Sequence, residues 1–405
     1  MPSTTDSSPE DDSHQSAEFE RIEWDTIHSR NRLLTTERIV FLAGLCVLLG
    51  VYLYDRFLTG IYLIGTWNVS PADWLFLLST VILVSFGIVP ILSHRRTVRR
   101  ILRRLRHRPI VLLSGCYLLF VLLFGLLWPL FLEPLRFNPG LSHQPPVGFT
   151  TRSGAVTQCI GEYTEGEGIV RHCHGTWEYP LGTDHRGYDM ISVFAAGARV
   201  VLYVTVVTIA LVIPIATAVG SAAGYYGGWI DAILMTLVDM QMSVPGLIIY
   251  LVLVILYGSS LFLFLLVFGL LSWGSVAKAV RSETLQRRES GFVTAARASG
   301  IRQRTIVRRH ILPNVTNTVV PAVAHLIALL IIMEAGIAFF GFFDMNVYSW
   351  GRTIAAGIVY DGETITPFDF WWVSTFPAIA LGMTVLAFKL FGDGLRDVLD
   401  PRGEQ

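Results

Sequence analysis

The chain has 405 residues, of which 52% are hydrophobic and 15% charged, and its 31 basic side chains balance 31 acidic ones. Soluble globular domains carry roughly a quarter of their residues as Asp, Glu, Lys or Arg, so this composition argues against a soluble protein. A net charge of zero gives no sign of a nucleic-acid partner. Several windows of about 18 or more apolar residues predict an all-α polytopic membrane protein set in a lipid bilayer.

The N-terminal segment, residues 1–37, is polar rather than apolar. Residues 1–36 contain eight acidic side chains and three arginines. A segment of this composition cannot bury a core, so we expect it to be disordered. It shows no signal-peptide pattern, and we expect the chain to begin without a secretory leader. Both a solubilising role and a docking role are compatible with this tail.

Eight apolar stretches are long enough to cross a bilayer, because about 20 helical residues at about 1.5 Å each span the hydrocarbon. They lie at 39–58, 73–92, 110–132, 198–222, 232–257, 261–280, 315–341 and 371–391. The loop after the second stretch holds eight arginines, Arg95, Arg96, Arg99, Arg100, Arg103, Arg104, Arg106 and Arg108. The positive-inside rule places this loop in the cytoplasm.

Counting crossings from that loop places a second arginine-rich stretch, residues 281–312, on the same side of the membrane. The count predicts eight spans, with both chain ends in the cytoplasm. The predicted divisions after the tail are 38–109 (two spans and the arginine-rich loop), 110–132 (one span), 133–190 (an extracytoplasmic segment), 191–393 (five spans) and 394–405 (a cytoplasmic tail).

The extracytoplasmic segment contains Cys159 and Cys173, which are 14 residues apart. A cysteine pair at this spacing in an exported segment favours a disulfide. His172 and His174 flank the second cysteine and raise the alternative of a metal site. In an extended strand, however, the two histidines face one way and the cysteine faces the other. We therefore predict a disulfide and no metal.

The second arginine-rich stretch contains a predicted loop, residues 283–313, that starts with a short helix. Ser290 is placed to cap this helix by accepting from a free backbone N–H. Ala295 and Ala296 are strong helix formers with little bulk, so a partner could approach closely. Gly300 suits the left-handed position that ends a helix.

A second short helix is predicted from Arg302 to Ile311. Pro313 lacks an N–H and disfavours helical geometry at Leu312, so this helix should end there. Asn314 would then cap the next membrane helix. The resulting elbow could lie on anionic lipid as an amphipathic loop or could dock against another protein.

The sequence TAARASG at 294–300, followed after ten residues by ILP, resembles the EAA loop of ABC-importer permeases. Thr294 stands where that family has a glutamate. The resemblance implies that the elbow is a coupling helix that docks in a groove of an ATPase subunit. Its expected coupling residues are Thr294, Ala295, Ala296, Arg297, Gly300, Arg302, Arg304, Ile311, Leu312 and Pro313.

Four further segments resemble the dipeptide, oligopeptide and nickel branch of these permeases, so the likeness extends over about 178–402. They are YPLGTDHRGYDMIS (179–192), GYYGGWIDAILMTLVD (224–239), YSWG (348–351) and FGDGLRDVLDPR (391–402). Tyr188 replaces an arginine of the first pattern. The match is to the C-type subunit, whose usual pattern has six spans, and the two spans within 39–92 are additional to it.

The resemblance implies partners and cargo that no single chain contains. The expected partners are a homologous second permease, two ATPase subunits and an extracytoplasmic solute-binding protein. The expected cargo is a dipeptide, an oligopeptide, a nickel chelate or a sugar. Cofactors are expected only in the ATPases, as ATP and Mg²⁺. The resemblance also implies a location in a prokaryotic plasma membrane.

The sequence has no phosphate-binding loop of the G-x-x-x-x-G-K-[ST] type. Its only lysines, Lys278 and Lys389, are followed by Ala and Leu. No H-E-x-x-H or G-x-S-x-G pattern occurs either. We therefore predict that this chain is not an enzyme and that ATP is hydrolysed by a partner.

Two acidic residues within predicted spans are candidates for the translocation path or its gate. Glu334 could make a packing or gating contact, could contact the solute, or could lie at the outer interface without a special role. Asp239 could fix a helix through a hydrogen bond or relay protons. An ion-coupled secondary transporter is the alternative function, but it would need internal repeats and clusters of polar residues in mid-membrane. A structural protein with a lipid-binding elbow is a third hypothesis.

Overall fold

The computed structural model describes residues 35–57, 69–93, 95–131, 135–152, 156–164, 171–344, 347–360, 363–364 and 370–399. Most of the predicted acidic tail, residues 1–34, and the end of the predicted C-terminal tail, residues 400–405, lie outside these ranges. The predictions made for those parts therefore stay predictions.

The described chain is built almost entirely from helices. In chain order these are α1 (Thr36–Phe57), α2 (Pro71–Leu83), α3 (Val89–Ser93), α4 (Arg95–Arg106), α5 (Pro109–Phe131), α6 (Met190–Tyr226), α7 (Gly228–Ser243), α8 (Gly246–Tyr257), α9 (Leu261–Leu271), α10 (Gly274–Arg288), α11 (Gly291–Ala298), α12 (Gln303–Ile306), α13 (Leu312–Phe339), α14 (Trp350–Ala356) and α15 (Trp371–Leu399). A π-helical turn at Val84–Ile88 joins α2 to α3, another at Val307–Ile311 joins α12 to α13, and Pro139–Leu141 form a 3₁₀ turn.

Two small antiparallel sheets interrupt the helices. Strand β1 (Thr150–Arg152) pairs with β2 (His172–His174), so that Thr151 lies opposite Cys173. Strand β3 (Val359–Tyr360) pairs with β4 (Glu363–Thr364). The first sheet belongs to the segment predicted to be extracytoplasmic, which the structure folds into a small lobe of loops.

Within the described ranges, seven helical stretches are long and apolar enough to cross a membrane, and an eighth follows if the bent pair α7 and α8 is one span. The pair bends by 61° between Ser243 and Gly246, where Pro245 interrupts the helix. The predicted all-α polytopic fold is therefore confirmed. Several helices are longer than predicted. Helix α6 begins at Met190, where the predicted span began at residue 198, and α10 continues to Arg288, where the predicted span ended at residue 280.

The longest uninterrupted α-helix of the described chain, α6, lies at the centre of the bundle and touches α2, α5, α7, α9, α10 and α13. Small residues allow this close packing. Gly220 faces the carbonyl of Ala277, and Gly224 faces Thr284, so that a side chain at either glycine would collide with α10. The tight contact fixes α10 along the second half of α6.

The two arginine-rich segments lie at the same end of the bundle. Arg108, at the start of α5, forms an ion pair of 2.5 Å with Asp397, near the end of α15. Gly392, also near the end of α15, lies against Pro321, early in the helix α13 that follows the second arginine-rich segment. This agrees with the crossing count made from the sequence.

Candidate functional site

The elbow begins with α11, whose start differs in detail from the prediction. Ser290 occupies the capping position, but its hydroxyl donates to the carbonyl of Arg287 at 2.5 Å and does not cap the helix. The end of α11 follows the prediction. Gly300 has a φ of 72°, and the N–H of Ile301 returns to the carbonyl of Ala296 at 3.2 Å. Glycine favours this left-handed position, which closes the helix.

The prediction that Pro313 ends a second helix is wrong, because the helical stretch is continuous from Gln303 to Phe339. The π-helical turn explains how the proline is accommodated. The N–H of Leu312 bonds to the carbonyl of Val307, which is five residues back, and this register change precedes the residue that lacks an N–H. One rigid helix therefore links the elbow to the membrane span.

The predicted capping role of Asn314 is also wrong. Its amide donates to the carbonyl of His310 at 2.7 Å, four residues back in the helix. A free helix start does not exist at this position, so there are no N–H groups for Asn314 to cap. The side chain instead donates a hydrogen bond to a backbone carbonyl of the π-helical turn, where the proline disturbs the regular bonding pattern.

The elbow has an inner face and an outer face. Val293, Ile306 and Ile311 are fully buried, and Ala296 is nearly so. The exposed positions on the same segment include Thr294, Ala295, Arg297, Ala298, Arg302 and Arg304, together with the apolar Phe292 and Ile301. The structure therefore anchors the elbow by four apolar side chains and leaves open a surface of small and cationic residues that also carries two larger apolar side chains. The predicted coupling residues divide between the two faces.

A pocket of about 550 Å³ lies between the elbow and the end of α6. The guanidinium of Arg297 lies 5.1 Å from the ring centre of Tyr225. Arg288 reaches the carbonyls of Gly224 and Tyr225 at 3.5 and 3.4 Å, where the helix dipole favours a cation. The lining residues are Tyr225, Tyr226, Arg288, Glu289, Thr294, Arg297 and Gln303. Sequence reasoning predicted two of these seven, Thr294 and Arg297, and missed the other five; the two tyrosines were out of reach because only the fold brings α6 to the elbow.

Thr294, which replaces the glutamate of the EAA pattern, bonds only within its own helix. Its hydroxyl donates to the carbonyl of Ser290 at 3.3 Å. A carboxylate is nevertheless present in the same pocket, because Glu289 lines it. The other nearby carboxylate, Glu283, is engaged by Arg287 at 2.6 Å.

The segment GYYGGWIDAILMTLVD fixes α7 to α10 next to this pocket. Both carboxylate oxygens of Asp231 accept from Arg281, each at 2.5 Å. Such a two-pronged pair is geometrically specific. Gly227 and Gly228 have φ values of 67° and 57° and provide the turn between α6 and α7. This explains the pattern of glycines followed by an aspartate.

Asp239, a predicted path candidate, forms an ion pair of 2.6 Å with Lys278 of α10. Both side chains are exposed, by 62% and 45% respectively. An ion pair on the surface of a membrane span is costly against lipid and is expected to face water or another chain. A second pair of this kind, which sequence reasoning missed, joins His325 of α13 to Asp393 of α15 at 3.1 Å.

Glu334, the other path candidate, is buried under the start of α14. It lies near Ser349, whose hydroxyl accepts from the N–H of Arg352 at 3.4 Å and thereby caps α14. The Glu334 Oε1 atom has no hydrogen-bond partner among the described residues. Glu334 is only 4% exposed, so it lies inside the protein and not on a surface.

The YSWG segment holds α14 against two other helices. The indole N–H of Trp350 donates to the carbonyl of Phe194 at 3.2 Å, and its ring covers Gly197 of α6. Gly351 lies against the backbone of Ala335, next to Glu334, so closely that a side chain would not fit. The tryptophan and the glycine are therefore packing devices.

The outer lobe contains the two candidate cysteines. Cys159 and Cys173 are joined by a disulfide, with their Cα atoms 5.8 Å apart. Cys173 is fully buried in β2, between two histidines that lie on the other face of the strand. Among the described residues, no group of three or more His, Cys, Asp or Glu side chains could hold a metal ion.

The YPLGTDHRGYD segment forms a tight turn in the same lobe. Asp184 is buried, and its Oδ1 accepts from the N–H groups of Arg186 and Tyr188 at 2.8 and 2.9 Å. Burial raises the pKa of Asp184 to about 6, although these hydrogen bonds oppose the shift. Tyr188, at the arginine position of the family pattern, packs edge-on against Tyr348, and Arg186 donates to the Tyr348 hydroxyl at 2.9 Å.

The profile of the family described as "Binding-protein-dependent transport system inner membrane component" matches residues 216–405. A peptide permease protein from Brucella suis is 35% identical over 230 residues, which cover 56% of this chain and 75% of the relative. The chain belongs to this family. It is a permease subunit of an ABC importer, and a multi-pass protein of the bacterial plasma membrane.

Other permeases of the family share the same region. The oligopeptide transport system permease protein OppC of Haemophilus influenzae is 33% identical over 223 residues, or 55% of this chain and 70% of its own. The dipeptide transport system permease protein DppC of Bacillus subtilis is 29% identical over 254 residues, or 61% and 78%. These matches confirm the peptide-type permease that the sequence patterns predicted.

Proposed function

We propose that this permease moves peptides or related small solutes inward, and that ATPase subunits drive it by docking on the exposed face of the elbow. The observation that carries the proposal is the division of α11 into two faces. Val293 and Ala296 fix the helix to the protein, while Thr294, Ala295 and Ala298 present an exposed surface with little bulk. A docked protein can approach such a surface closely.

The geometry provides two routes from the elbow into the membrane. One is the unbroken helix from Gln303 to Phe339, which would carry a displacement of the elbow along its axis. The other is the contact of Arg297 and Arg288 with the end of α6. Movement of the docked ATPases would therefore act on α6 and α13 together, and so would alternate the access of the path.

The remaining partners follow from the surfaces left open. The exposed Asp239–Lys278 pair supports the presence of a second permease or of a water-filled path beside α7 and α10. The outer lobe is the expected contact for a solute-binding protein. Both chain ends are assigned to the cytoplasm with the elbow, and ATP and Mg²⁺ are assigned to the ATPases.

Peptide cargo is supported by relatives whose names state oligopeptide or dipeptide transport. Uptake of labelled di- and oligopeptides by the complete complex in proteoliposomes tests the cargo. The expected result is uptake of peptides, with no uptake of nickel chelates or sugars. Uptake of a nickel chelate or a sugar alone would reassign the cargo while leaving the coupling role intact.

The docking role is tested by Ala295→Trp, which changes the exposed face without disturbing the buried one. We expect the variant to fold and to lose co-purification with the ATPases together with ATP-driven uptake. Gln286→Trp is the matched control, because Gln286 is also exposed but lies on α10, outside the elbow. Retention of both ATPase binding and uptake in Ala295→Trp would contradict the proposal.

A further inference from the structure

The second of the two additional helices is joined to the permease core by a buried polar triad. Asp73, in the first turn of α2, forms an ion pair of 2.9 Å with Arg199 of α6. Arg199 also donates to the hydroxyl of Tyr203 at 2.9 Å, and this hydroxyl donates to Asp73. Asp73 and Tyr203 are both buried, and the side chain of Arg199 is 33% exposed. Each charged or polar group of the triad thus has a partner inside the protein.

The surroundings of the triad hold α2 in one orientation. The ring of Phe76 stacks on that of Tyr203, with centres 4.3 Å apart and planes within 9°. Ser70 accepts from the backbone of Asp73 and donates its own hydroxyl to the carboxylate, which fixes the direction of that side chain. Along with α6, α2 also touches α9. Hydrogen bonds, an ion pair and a ring stack are directional, so a rotation of α2 would break all of them.

The first additional helix is attached differently. None of the residues of α1 is buried, and its contacts are with α2, α3 and the π-helical turn between them. Examples are the ring pairs Tyr52–Trp74 and Phe41–Phe86, with centres 5.2 and 5.4 Å apart. The hairpin of α1 and α2 is therefore attached to the core through α2.

We propose that α2 is a permanent clamp on the outer half of α6, fastened by the Asp73–Arg199–Tyr203 triad, and that the additional hairpin is part of the folded core. The surface of α6 that carries Arg199 and Tyr203 is thus a docking site whose occupant is α2 of the same chain. On its other side, the same half of α6 is covered by Trp350 at Gly197. This half is held from two directions and moves as one body with α2 and α14.

The chemistry of a buried ion pair gives the proposal a distinctive signature. Removing one partner leaves the other charged and without compensation, which is strongly destabilising. Replacing both partners by apolar side chains of similar size removes the problem and is often neutral. A clamp therefore predicts two unstable single variants and a rescued double variant, whereas a triad that moves protons or ions would lose transport in all three.

The experiment uses the full chain in its assembled complex, with Arg199→Met, Asp73→Leu and the double variant, each made in a Tyr203→Phe background so that no buried hydroxyl is left without a partner. Each single change is expected to lower the Tm by about 5 °C or more and to speed hydrogen exchange in the outer half of α6. The double variant should recover most of the Tm, the slow exchange and the ATP-driven uptake. Arg108→Met is the matched control, because the Arg108–Asp397 pair is exposed and its loss should leave the Tm nearly unchanged.

Three results would overturn the proposal. The first is an Arg199→Met variant as stable as its Tyr203→Phe parent. The second is a double variant no more stable than the single ones. The third is a double variant that is stable but inactive in uptake, which would make the triad part of the transport chemistry and not a clamp. A structural role for the triad is retained only if stability and uptake recover together.

Discussion

The two ends of α6 are built in opposite ways. The outer end is enclosed, with its first turn capped by Asp189, Gly197 covered by an indole ring and Arg199 paired inside the protein. The inner end borders an open pocket, and Arg288 and Arg297 reach it through two long hydrogen bonds and a ring face. Buried directional contacts resist change, whereas exposed contacts between long side chains are remade at little cost.

This difference indicates which end a partner can move. A displacement applied at the elbow would rearrange contacts at the inner end of α6 before it disturbed any buried pair at the outer end. The outer lobe, with its disulfide and buried turn, extends the rigid end beyond the membrane. The inner end is thus suited to receive movement and the outer end to retain its shape.

The largest effect is expected from filling the close contact at the rigid end. Gly197→Val would drive a side chain into the ring of Trp350 and separate α14 from α6. Overpacking of this kind should cost at least about 3 kcal/mol, visible as a large loss of Tm in the purified complex. Gly382→Val is the control, since nothing lies within 4 Å of a Cβ at that helix position. Equal stability of the two variants would contradict a rigid outer end.

The disulfide gives the next largest effect, restricted to the outer lobe. Cys159 and Cys173 are 14 residues apart, and closing a loop of about this length stabilises a fold by about 3 kcal/mol. Replacing both by Ser should speed hydrogen exchange in β1 and β2 and leave the elbow unaffected. Cys46→Ser is the control, because Cys46 is a free, exposed thiol in α1. Faster exchange at the elbow as well would show that the two regions are not independent.

Sequence reasoning could find the membrane helices and the role of Gly300. The length of an apolar stretch and the preference of glycine for a left-handed backbone conformation are both local properties of the sequence. It failed at Pro313 because a π-helical turn upstream absorbed the missing N–H, and a proline pattern gives no sign of that turn. The EAA-like residues were visible, but Tyr225 and Arg288 were not associated with them, because their meeting depends on how α6 packs against α10. The triad that attaches the additional hairpin joins Asp73 to Arg199, which are 126 positions apart in the sequence, so sequence reasoning could not find it either.

The pH dependence of the stability of the outer lobe gives a further test of how its buried groups hold it together. The raised pKa of Asp184, about 6 against 3.8, means that its contribution to stability is fullest below about pH 4 and declines as pH rises through 6. Burial lowers the pKa of His143 to about 4 from 6.5, so the contribution of His143 is lost as pH falls below 6.5. The two slopes oppose each other between about pH 4 and 6.

Asp184→Asn should expose the slope that belongs to His143. An amide oxygen can still accept both backbone N–H groups of the turn, and the buried charge is removed. The lobe of the variant should therefore gain stability steadily from pH 4 to 6.5, and at pH 7 should exceed the wild type by on the order of 2 kcal/mol. Hydrogen exchange of the lobe across this range is the measurement. A His143→Gln variant should show the opposite slope, and identical profiles in all three proteins would refute both assignments.

The smallest effect is expected at the movable end, in the turn that closes α11. Gly300→Ala forces a Cβ into a φ of 72° and should cost about 1 kcal/mol, because nothing lies within 4 Å of the added atom and only the backbone is strained. Gly291→Ala, at the start of the same helix, is equally open and should be neutral or slightly stabilising. The global Tm should barely change in either variant, since the elbow is mostly exposed. The ATP-driven uptake should fall only in Gly300→Ala, because the strained turn would tilt the exposed face of the elbow on which the ATPases dock. An unchanged uptake in that variant would mean that the elbow tolerates a different angle, and the contrast between the two ends of α6 would then rest on the outer end alone.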